Sequence, residues 1–360
     1  MLVDCDIHLG YERLADLLPY LDAPTRELVR SSGTNGLAMP SYPWNHPSGW
    51  IRQDVYERGS GSGDFPYLTL ETLRERHLDA YDVAVGVVEP DEAAAFAILP
   101  NAQLAARLAR AYNDWLLERW LQEEPRLRGM IVVPAQWPEA AAAEIRRLAD
   151  RDEFVGVFLP GAARMPYGNP VYDAMWEAVA DSGLAVAVHT HFESVGIAGP
   201  PTAAGMPDYY AEYHTLCGSG MYGHLVSILC HGIFERFPGT RVAMVEGGLV
   251  PFVGFLWRLD TNWKACRSEM PWCRRRPSEY VWEHVRFATQ PLESPDDPEQ
   301  LARAIEFLRP AETLMYASDF PHWDFDEPEQ TLRQLPAEWR DAVRWRNAAE
   351  FFRLRVAEPA

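Results

Sequence analysis

The sequence predicts an α/β fold of the (β/α)8 type, a TIM barrel. Three observations support this fold class: eight short apolar runs recur along the 360 residues, helical patterns lie between most of them, and the middle runs are almost continuously apolar. Continuous apolar runs suit strands that are covered on both faces, as in a parallel sheet. Because strand and helix alternate repeatedly, we expect a barrel, with a doubly wound open sheet as the alternative.

The predicted strands are apolar segments bounded by turn-forming or polar residues. The first, "LVDCDIHL", begins at the second residue, and the last, "TLMYASDF", lies near the end of the sequence. The eight strands are predicted at residues 2–9, 82–90, 128–135, 154–161, 184–192, 241–248, 285–292 and 313–320.

The predicted helices have apolar residues at helical spacing and recognisable ends. One begins at Pro138, a residue favoured in the first turn, and another starts after Asn169 and stops at Gly183. A third ends before Pro125, which cannot continue a helix. The five helices are predicted at residues 101–124, 138–151, 169–183, 221–239 and 298–310.

Two long segments interrupt this alternation, residues 10–68 after the first strand and residues 193–220 after the fifth. Both would lie on the C-terminal face of a barrel, where active sites are found, and we expect them to form lids or oligomer contacts. The stretch "GSGSGD" at residues 59–64 is interpreted as a flexible linker, because it lacks the G-x-G-x-x-G spacing and follows no strand. We therefore predict a single domain over residues 1–360.

Composition and charge narrow the classes of partner. The net charge of −19 argues against nucleic acid, because phosphate binding needs a basic face. Five cysteines without a C-x-x-C motif argue against disulfides or a cysteine zinc site and suit a reducing cytoplasm. An early acid at Asp4 argues against a signal peptide, and no apolar run approaches the ~20 residues of a membrane-spanning helix. We expect a cytoplasmic homodimer that acts on a small molecule.

Polar side chains cluster at the C-terminal ends of several predicted strands. Polar groups within apolar strands cost free energy unless they are paired or bound. In a parallel barrel these strand ends meet at one rim, although the residues lie more than 300 positions apart in sequence. The residues concerned are Asp6 and His8 on the first strand, His189 and His191 on the fifth, Glu246 on the sixth and Asp319 on the eighth.

Histidines and carboxylates that share one rim predict a site for Zn²⁺ or Mn²⁺. Asp6 and His8 are two residues apart, so both should face the same side of the strand, and Cys5 should face the other. Taken singly, each residue has another interpretation. Asp4 could replace Asp6 as the functional acid, His8 could be a hydrogen-bonded core residue, and Asp319 could cap a helix.

Several segments resemble, in order, those of the amidohydrolase-2 family, the group that includes aminocarboxymuconate semialdehyde decarboxylase and the aromatic-acid decarboxylases. They are "VDCDIH", "PRLRGMIVVP", "FVGVFLPG", "RMPYGNPVYDAMWEAVADSGLAVAVHT", "GIFERFPGTRVAMVEGG" and "YASDFPHWD". The resemblance implies a distorted (β/α)8 barrel with one divalent metal at its C-terminal face. It also implies metal ligands at Asp6, His8, His189 and Asp319.

Two departures from the family pattern affect the expected chemistry. Many members begin with H-x-H or E-x-H, whereas this chain has Asp6 before His8, which makes the site more anionic. Many also carry a histidine at the end of strand six, where this chain has Glu246. That histidine is linked to proton transfer in the decarboxylases, so its absence argues against decarboxylation. Glu246 is expected to bind substrate, hold His189 or act as an acid or base.

The leading functional expectation is a metal-dependent hydrolase that acts on a C–N or C–O bond next to a carbonyl of a small cyclic or aromatic molecule, or the reverse condensation. Metal-activated water would attack the carbonyl, with Asp319, Glu246 and His191 as the catalytic candidates. Non-oxidative decarboxylation of an aromatic or unsaturated acid is the alternative, and a non-catalytic metal-binding protein is the third possibility. Zn²⁺ is the expected metal, with Mn²⁺ or Fe²⁺ as alternatives.

Aromatic and histidine side chains in the long segments and after the last strand are expected to contact the substrate. Their aromatic content favours a flat or cyclic ligand. The candidate substrate-binding residues are Trp44, His46, Tyr213, His214, Phe320, His322 and Trp323.

Overall fold

The computed structural model describes residues 1–32, 68–193 and 196–355. Within these residues the eight strands form one parallel sheet, in sequence order, so the predicted barrel is confirmed. Strand bounds agree with the prediction most closely at the N-terminal ends, and several strands end earlier than predicted. The strands are β1 (Leu2–Leu9), β2 (Val83–Pro90), β3 (Leu127–Val132), β4 (Phe154–Pro160), β5 (Ala185–His189), β6 (Val242–Val245), β7 (Val285–Ala288) and β8 (Leu314–Met315).

The barrel closes where the segment that follows β8 meets β1. The amide of Cys5 donates to the carbonyl of Tyr316 at 3.0 Å, and the amide of His8 donates to the carbonyl of Phe320 at 2.7 Å. In the opposite direction, the amide of Asp319 donates to the carbonyl of Asp6 at 3.1 Å. These bonds join the two ends of the chain at the level where Asp6, His8 and Asp319 leave the sheet.

Helices cover the outside of the barrel, and glycines mark some of their ends. The predicted helix at 221–239 is divided into α7 (Ser219–Cys230) and α8 (Ile233–Arg236), because Gly232 between them adopts a left-handed backbone with φ of 62°. Gly183 ends α5 in the same way, as expected from the sequence. The α-helices of the described residues are α1 (Ala23–Ser32), α2 (Leu70–Leu73), α3 (Ala102–Leu116), α4 (Pro138–Leu148), α5 (Asp173–Ser182), α6 (Tyr210–Leu216), α7 (Ser219–Cys230), α8 (Ile233–Arg236), α9 (Val250–Ala265), α10 (Pro277–His284), α11 (Pro298–Ile305), α12 (Pro310–Thr313), α13 (Pro328–Arg333), α14 (Ala337–Asp341) and α15 (Asn347–Phe352).

Alternation along β5 shows how the sheet separates two apolar clusters. Val186 and Val188 belong to the cluster between the strands and the surrounding helices, whereas Ala185 and Ala187 belong to the cluster inside the barrel. His189 continues the inward series at the C-terminal end of the strand. His189 therefore lies on the same interior face of β5 as Ala185 and Ala187.

The segment between β5 and β6 contains α6 and α7, and α6 lies within the predicted insertion at 193–220. The predicted insertion at 10–68 includes α1, and its residues 33–67 lie outside the described residues, together with the "GSGSGD" stretch. Within the described ranges, no helix combines the length and the apolar character needed to cross a bilayer.

The buried amide of Asn113 fixes the end of β3 to α3. Its Nδ2 donates to the carbonyl of Val132 at 2.9 Å, and its Oδ1 accepts from the amide of Val132 at 2.9 Å.

We expect Asn113→Ala to lower the free energy of unfolding by about 1–3 kcal/mol for each buried group left unpaired. Urea denaturation would measure this loss. Arg303→Ala, which removes only exposed ion pairs on α11, should change stability by about 0.5 kcal/mol or less. Equal stability of the two variants would contradict this account of Asn113.

Candidate active site

An irregularity in β1 turns two consecutive side chains toward the barrel interior. The pairing register with β2 shifts between Asp4 and Ile7. Cys5 packs in the interior apolar cluster, and Asp6 lies beside His8 at the rim, whereas Asp4 contacts His77 outside the barrel. The prediction that Cys5 faces the side opposite to Asp6 was wrong, because the irregularity interrupts the strict alternation of the strand.

Five side chains from four strand ends converge on one point at the C-terminal rim. His8 Nε2 lies 3.1 Å from Asp6 Oδ1, 3.3 Å from Glu246 Oε1 and 3.1 Å from Asp319 Oδ1. His189 Nε2 lies 3.5 Å from Asp6 Oδ1 and 3.3 Å from Glu246 Oε1. The structure therefore brings together all four sequence-predicted ligands and adds Glu246 to them. We call Asp6, His8, His189, Glu246 and Asp319 the rim cluster.

The geometry of the rim cluster fits a shared cation better than hydrogen bonds. An imidazole nitrogen carries at most one proton, yet three carboxylate oxygens surround His8 Nε2. Both oxygens of Asp6, both nitrogens of His8, His189 Nε2 and Glu246 Oε1 are buried without a hydrogen-bond partner. Ligand atoms that share an ion at bond lengths of ~2.1 Å lie roughly 3–3.5 Å apart. Two overlapping sets of four side chains have the composition and spacing of a divalent metal site: Asp6, His8, His189 and Glu246 form one, and His8, Glu246, Asp319 and His322 form the other.

Charge attraction outweighs the cost of burial at four residues of the rim cluster, whereas burial, together with the charge of Glu246, raises the pKa of Asp319. Burial alone would favour neutral acids, but the facing histidines lower the pKa of Asp6 and of Glu246. Conversely, burial opposes charged imidazoles, but the carboxylates raise the pKa of His8 and of His189. Opposite charges therefore hold these side chains together at the rim.

Two acids of the rim cluster adopt a backbone conformation that residues other than glycine rarely use. Glu246 has φ of 58° directly after β6, and Asp319 has φ of 59° after β8. Such left-handed conformations cost free energy of order 1–3 kcal/mol and are concentrated at functional sites. The turn after each strand is what directs the carboxylate back over the barrel mouth.

His322 is held between two acids next to the rim cluster. Its Nδ1 lies 2.5 Å from Asp319 Oδ1, and its Nε2 lies 3.2 Å from Asp91 Oδ1. Asp91 Oδ1 also lies 3.3 Å from His8 Nδ1. The Asp91 carboxylate therefore lies between His322 and His8 and faces a ring nitrogen of each.

The sequence analysis missed two acids that follow or end β2. Asp91 directly follows the strand, and Glu89 lies near its end. Glu89 pairs in register with His8 on β1, and its Oε2 lies 4.0 Å from His189 Nε2. Burial raises the pKa of Glu89 to about 8, and neither of its oxygens has a hydrogen-bond partner. The signal that identified the other strand ends, an acid after an apolar run, is present in "VAVGVVEPD" and could have found both.

A cleft of about 630 Å³, open to solvent, lies next to the rim cluster. The structure places most of the sequence-predicted catalytic and substrate-binding residues along it, and adds Phe192, Glu193, Tyr210 and Asp324. Burial, together with His189, lowers the pKa of His191 to about 3, so this imidazole is neutral. The predicted residues that line the cleft are His191, Tyr213, His214, Glu246, Asp319, His322 and Trp323.

Phe320 does not belong to this lining. Its ring is fully buried and stacks on His77 with ring centroids 4.5 Å apart, in contact with Phe325. The expectation that Phe320 contacts substrate is therefore not supported, because its side chain points into the outer core. Trp44 and His46 lie outside the described residues.

Asp4 and His77 form a clamp that joins β1 to the segment after β8, two of the three strand ends that carry rim-cluster acids. Asp4 Oδ1 accepts hydrogen bonds from the amides of Asp6 at 3.2 Å and Ser318 at 3.0 Å. Asp4 Oδ2 lies 2.6 Å from His77 Nε2, and both side chains are fully buried. One carboxylate thus fixes the backbone immediately before Asp319 and at Asp6.

We expect Asp6→Ala to reduce the content of divalent metal, because it removes an oxygen that lies within 3.5 Å of both His8 and His189. Elemental analysis of protein purified without chelators would measure this. Asp181→Ala, an exposed acid on α5, is the matched control and should leave metal content unchanged. Full metal content in Asp6→Ala would exclude this aspartate as a ligand.

Asp4→Asn should weaken metal binding although Asp4 is not itself placed in the rim cluster. The amide retains an acceptor but loses the charge that faces His77, so Asp6 and Ser318 are held less firmly. Changes to groups that orient ligands cost on the order of 10–100-fold in metal affinity, and we expect a loss of about tenfold. Titration of Mn²⁺ into metal-free protein would measure it, with His77→Gln expected to produce a similar loss. Unchanged affinity in both variants would show that the clamp does not act on the metal site.

Comparisons with known proteins agree with this architecture. Gamma-resorcylate decarboxylase from Rhodococcus jostii is 24% identical over 314 residues, and the match covers 80% of this chain and 85% of that protein. Among solved structures, dihydroxybenzoic acid decarboxylase from Polaromonas sp., with bound manganese and the inhibitor 2-nitroresorcinol, has a TM-score of 0.67 and 19% identity over 99% of this chain and 98% of that chain. The 5-carboxyvanillate decarboxylase from Sphingomonas paucimobilis has a TM-score of 0.68 and 22% identity over 98% and 99% of the two chains.

At these identities the solved structures establish the fold alone. The family assignment comes from the sequence model described as "Amidohydrolase", which matches residues 3–354 and so spans the barrel and every strand end of the rim cluster. This chain therefore belongs to the amidohydrolase family that the sequence resemblance indicated.

Proposed function

We propose that this chain is a metal-dependent carboxy-lyase that removes carbon dioxide, without an oxidant, from a small aromatic or unsaturated carboxylic acid. The observation that carries the proposal is the rim cluster of three carboxylates and two histidines beside an aromatic cleft. The curated relatives are named decarboxylases, and the match to the one from Rhodococcus jostii covers 80% of this chain.

The expectation of a hydrolase was wrong. It rested on Glu246, which stands where many family members have a histidine, and on the general ability of a metal to activate water. The similar proteins from Rhodococcus jostii and Polaromonas sp. are instead named gamma-resorcylate decarboxylase, and the similar structure from Sphingomonas paucimobilis is a 5-carboxyvanillate decarboxylase. Similarity to decarboxylases over most of the chain is stronger evidence about the reaction than the absence of one histidine at the end of β6.

We propose that Asp6, His8, His189 and Asp319 hold the metal and that Glu246 contributes a further oxygen. Three carboxylates give an oxygen-rich site, and hard oxygen ligands suit Mn²⁺ better than the Zn²⁺ expected from the sequence. Manganese is bound in the similar decarboxylase from Polaromonas sp.. When bound, a divalent ion would orient substrate oxygens and withdraw electron density from the carbon that loses its carboxylate.

In the proposed reaction the bond between the ring carbon and the carboxylate breaks, carbon dioxide leaves, and the electron pair remains on carbon. A proton must then reach that carbon. We assign its delivery to the Asp319–His322 pair, because the 2.5 Å contact between Asp319 Oδ1 and His322 Nδ1 provides a proton path at the cleft wall. Solvent at the open mouth of the cleft would restore the proton.

The remaining cleft residues would orient the acid. Tyr210, Tyr213, His214 and Trp323 form an aromatic wall, and the Trp323 indole donates to the hydroxyl of Tyr210 at 2.9 Å. Flat rings suit such a wall because offset or edge contacts between aromatic groups contribute roughly 0.5–1.5 kcal/mol each. The homodimer expected from the sequence remains a prediction.

Release of carbon dioxide is the direct test. Manganese-loaded protein incubated with gamma-resorcylate, 5-carboxyvanillate and related aromatic acids should release trapped carbon dioxide from at least one of them. Asp319→Asn keeps the side-chain size but removes the acid, so the rate should fall by about 10²–10⁴-fold. Metal content must be measured beside the rate, and Asp181→Asn on the exposed face of α5 is the control. Near-normal turnover by metal-loaded Asp319→Asn would exclude the proposed proton donor, and no carbon dioxide from any acid would overturn the proposed function.

A further inference from the structure

His214 lies on the outer wall of the cleft, on α6 of the segment between β5 and β6. Its ring stacks on Tyr210 with centroids 5.3 Å apart and an interplanar angle of 26°, and lies 5.5 Å from the ring of Trp323. Its Nε2 lies 3.0 Å from Asp324 Oδ2. Among the described residues, no partner for His214 Nδ1 is found within hydrogen-bond distance, so one nitrogen is fixed and the other is available to a ligand.

Asp324 is itself anchored to the rim cluster. The amide of Gln290, a buried residue after β7, donates to Asp324 Oδ2 at 3.0 Å and approaches Asp319 Oδ2 at 3.3 Å. His214, Asp324, Gln290 and Asp319 therefore form a continuous chain of contacts from the outer wall to the proposed proton donor. The Gln290 side-chain amide contacts both Asp324 and Asp319, so it links the position of the His214 ring to that of Asp319.

His214 is the imidazole available to a ligand at the outer wall. The described lining of the cleft contains neither lysine nor arginine, and its remaining histidines are His191 and His322. His322 has both ring nitrogens engaged by Asp319 and Asp91, and His191 lies at the inner end, against the rings of His8 and His189.

Asp324 also favours the charged form of His214. Burial of the ring opposes a positive charge, but the hydrogen bond to Asp324 outweighs it and raises the pKa of His214. The other acids of the lining, Glu193, Glu246 and Asp319, have partners of their own. Glu193 accepts from Thr190 and Tyr213, Glu246 faces the two ligand histidines, and Asp319 faces His8 and His322.

We propose that His214 Nδ1 donates to a second carboxylate of the substrate, so that the preferred substrate is a flat dicarboxylic acid. The inference rests on the proposed function, because the first carboxylate is the one lost at the rim cluster. A carboxylate is favoured over a hydroxyl as the partner of a charged imidazole. A phenol has an ordinary pKa of about 10 and is neutral at pH 7, so its hydrogen bond to the imidazole is weaker than that of a carboxylate. A site built to bind one polar group rejects analogues that lack it.

Ligand binding tests this subsite without any turnover. Isothermal titration calorimetry of manganese-loaded protein would compare benzoate, 3-hydroxybenzoate and the three benzenedicarboxylates. At least one dicarboxylate should bind about tenfold or more tightly than benzoate, the range expected for a hydrogen bond to a charged group. His214→Gln should reduce the ratio of dicarboxylate to benzoate affinity to near one, because loss of the His214 ring from the aromatic wall affects both ligands alike and cancels in the ratio. Asp324→Asn should reduce it, and serves as the second variant if the first fails to fold.

The possible outcomes separate the subsite from the proposed function. The inference is overturned if no dicarboxylate binds more tightly than benzoate, or if the ratio of dicarboxylate to benzoate affinity survives in both variants. It is also overturned if the gain that depends on His214 appears with 3-hydroxybenzoate and not with a dicarboxylate. A dicarboxylate preference that depends on His214, in protein that releases no carbon dioxide from any acid, would retain the subsite and refute the decarboxylase.

Discussion

The structure depends on a concentration of buried negative charge at one end of the barrel. One carboxylate oxygen each from Asp6, Glu246 and Asp319 lies within 3.3 Å of His8 Nε2. Those of Asp6 and Glu246 have no hydrogen-bond partner. Isolated buried carboxylates are costly, so such an arrangement requires either bound protons or a shared cation. A divalent ion meets this requirement with the fewest unpaired groups, and it also explains why the donors converge instead of pairing separately.

The closure of the barrel is what brings these charges together. Asp6 and Asp319 lie at opposite ends of the sequence, yet the amide of Asp319 donates to the carbonyl of Asp6. Asp4 reinforces the junction by accepting from the amides of Asp6 and Ser318 while it contacts His77. The Asp4–His77 clamp outside the barrel and the rim cluster inside it therefore lie on two sides of one strand junction.

The cleft combines an inner region of strong charge with an outer region of aromatic rings. Inner residues are fixed by strand ends, by the left-handed backbone at Glu246 and Asp319, and by Asp91 between His8 and His322. Outer residues come from α6 and from the segment after β8, so they belong to connections and not to the barrel itself. This division suits a family in which one barrel supports different substrates, because loops on a rigid scaffold can change without disturbing the metal site.

The sequence by itself determined the barrel and the residue types of its rim. Periodicity and chain order depend on neighbours a few residues apart, so eight strands, the helix ends at Asn169 and Gly183, and the polar strand ends could be read directly. Only the tertiary structure decided which side chains meet. The irregularity at Asp6, the direction of Phe320, the contribution of Asp91 and the pairing of His214 with Asp324 arise between segments that are far apart in the sequence. No local pattern encodes such contacts, because they depend on how the strands close and how each loop returns over the barrel mouth.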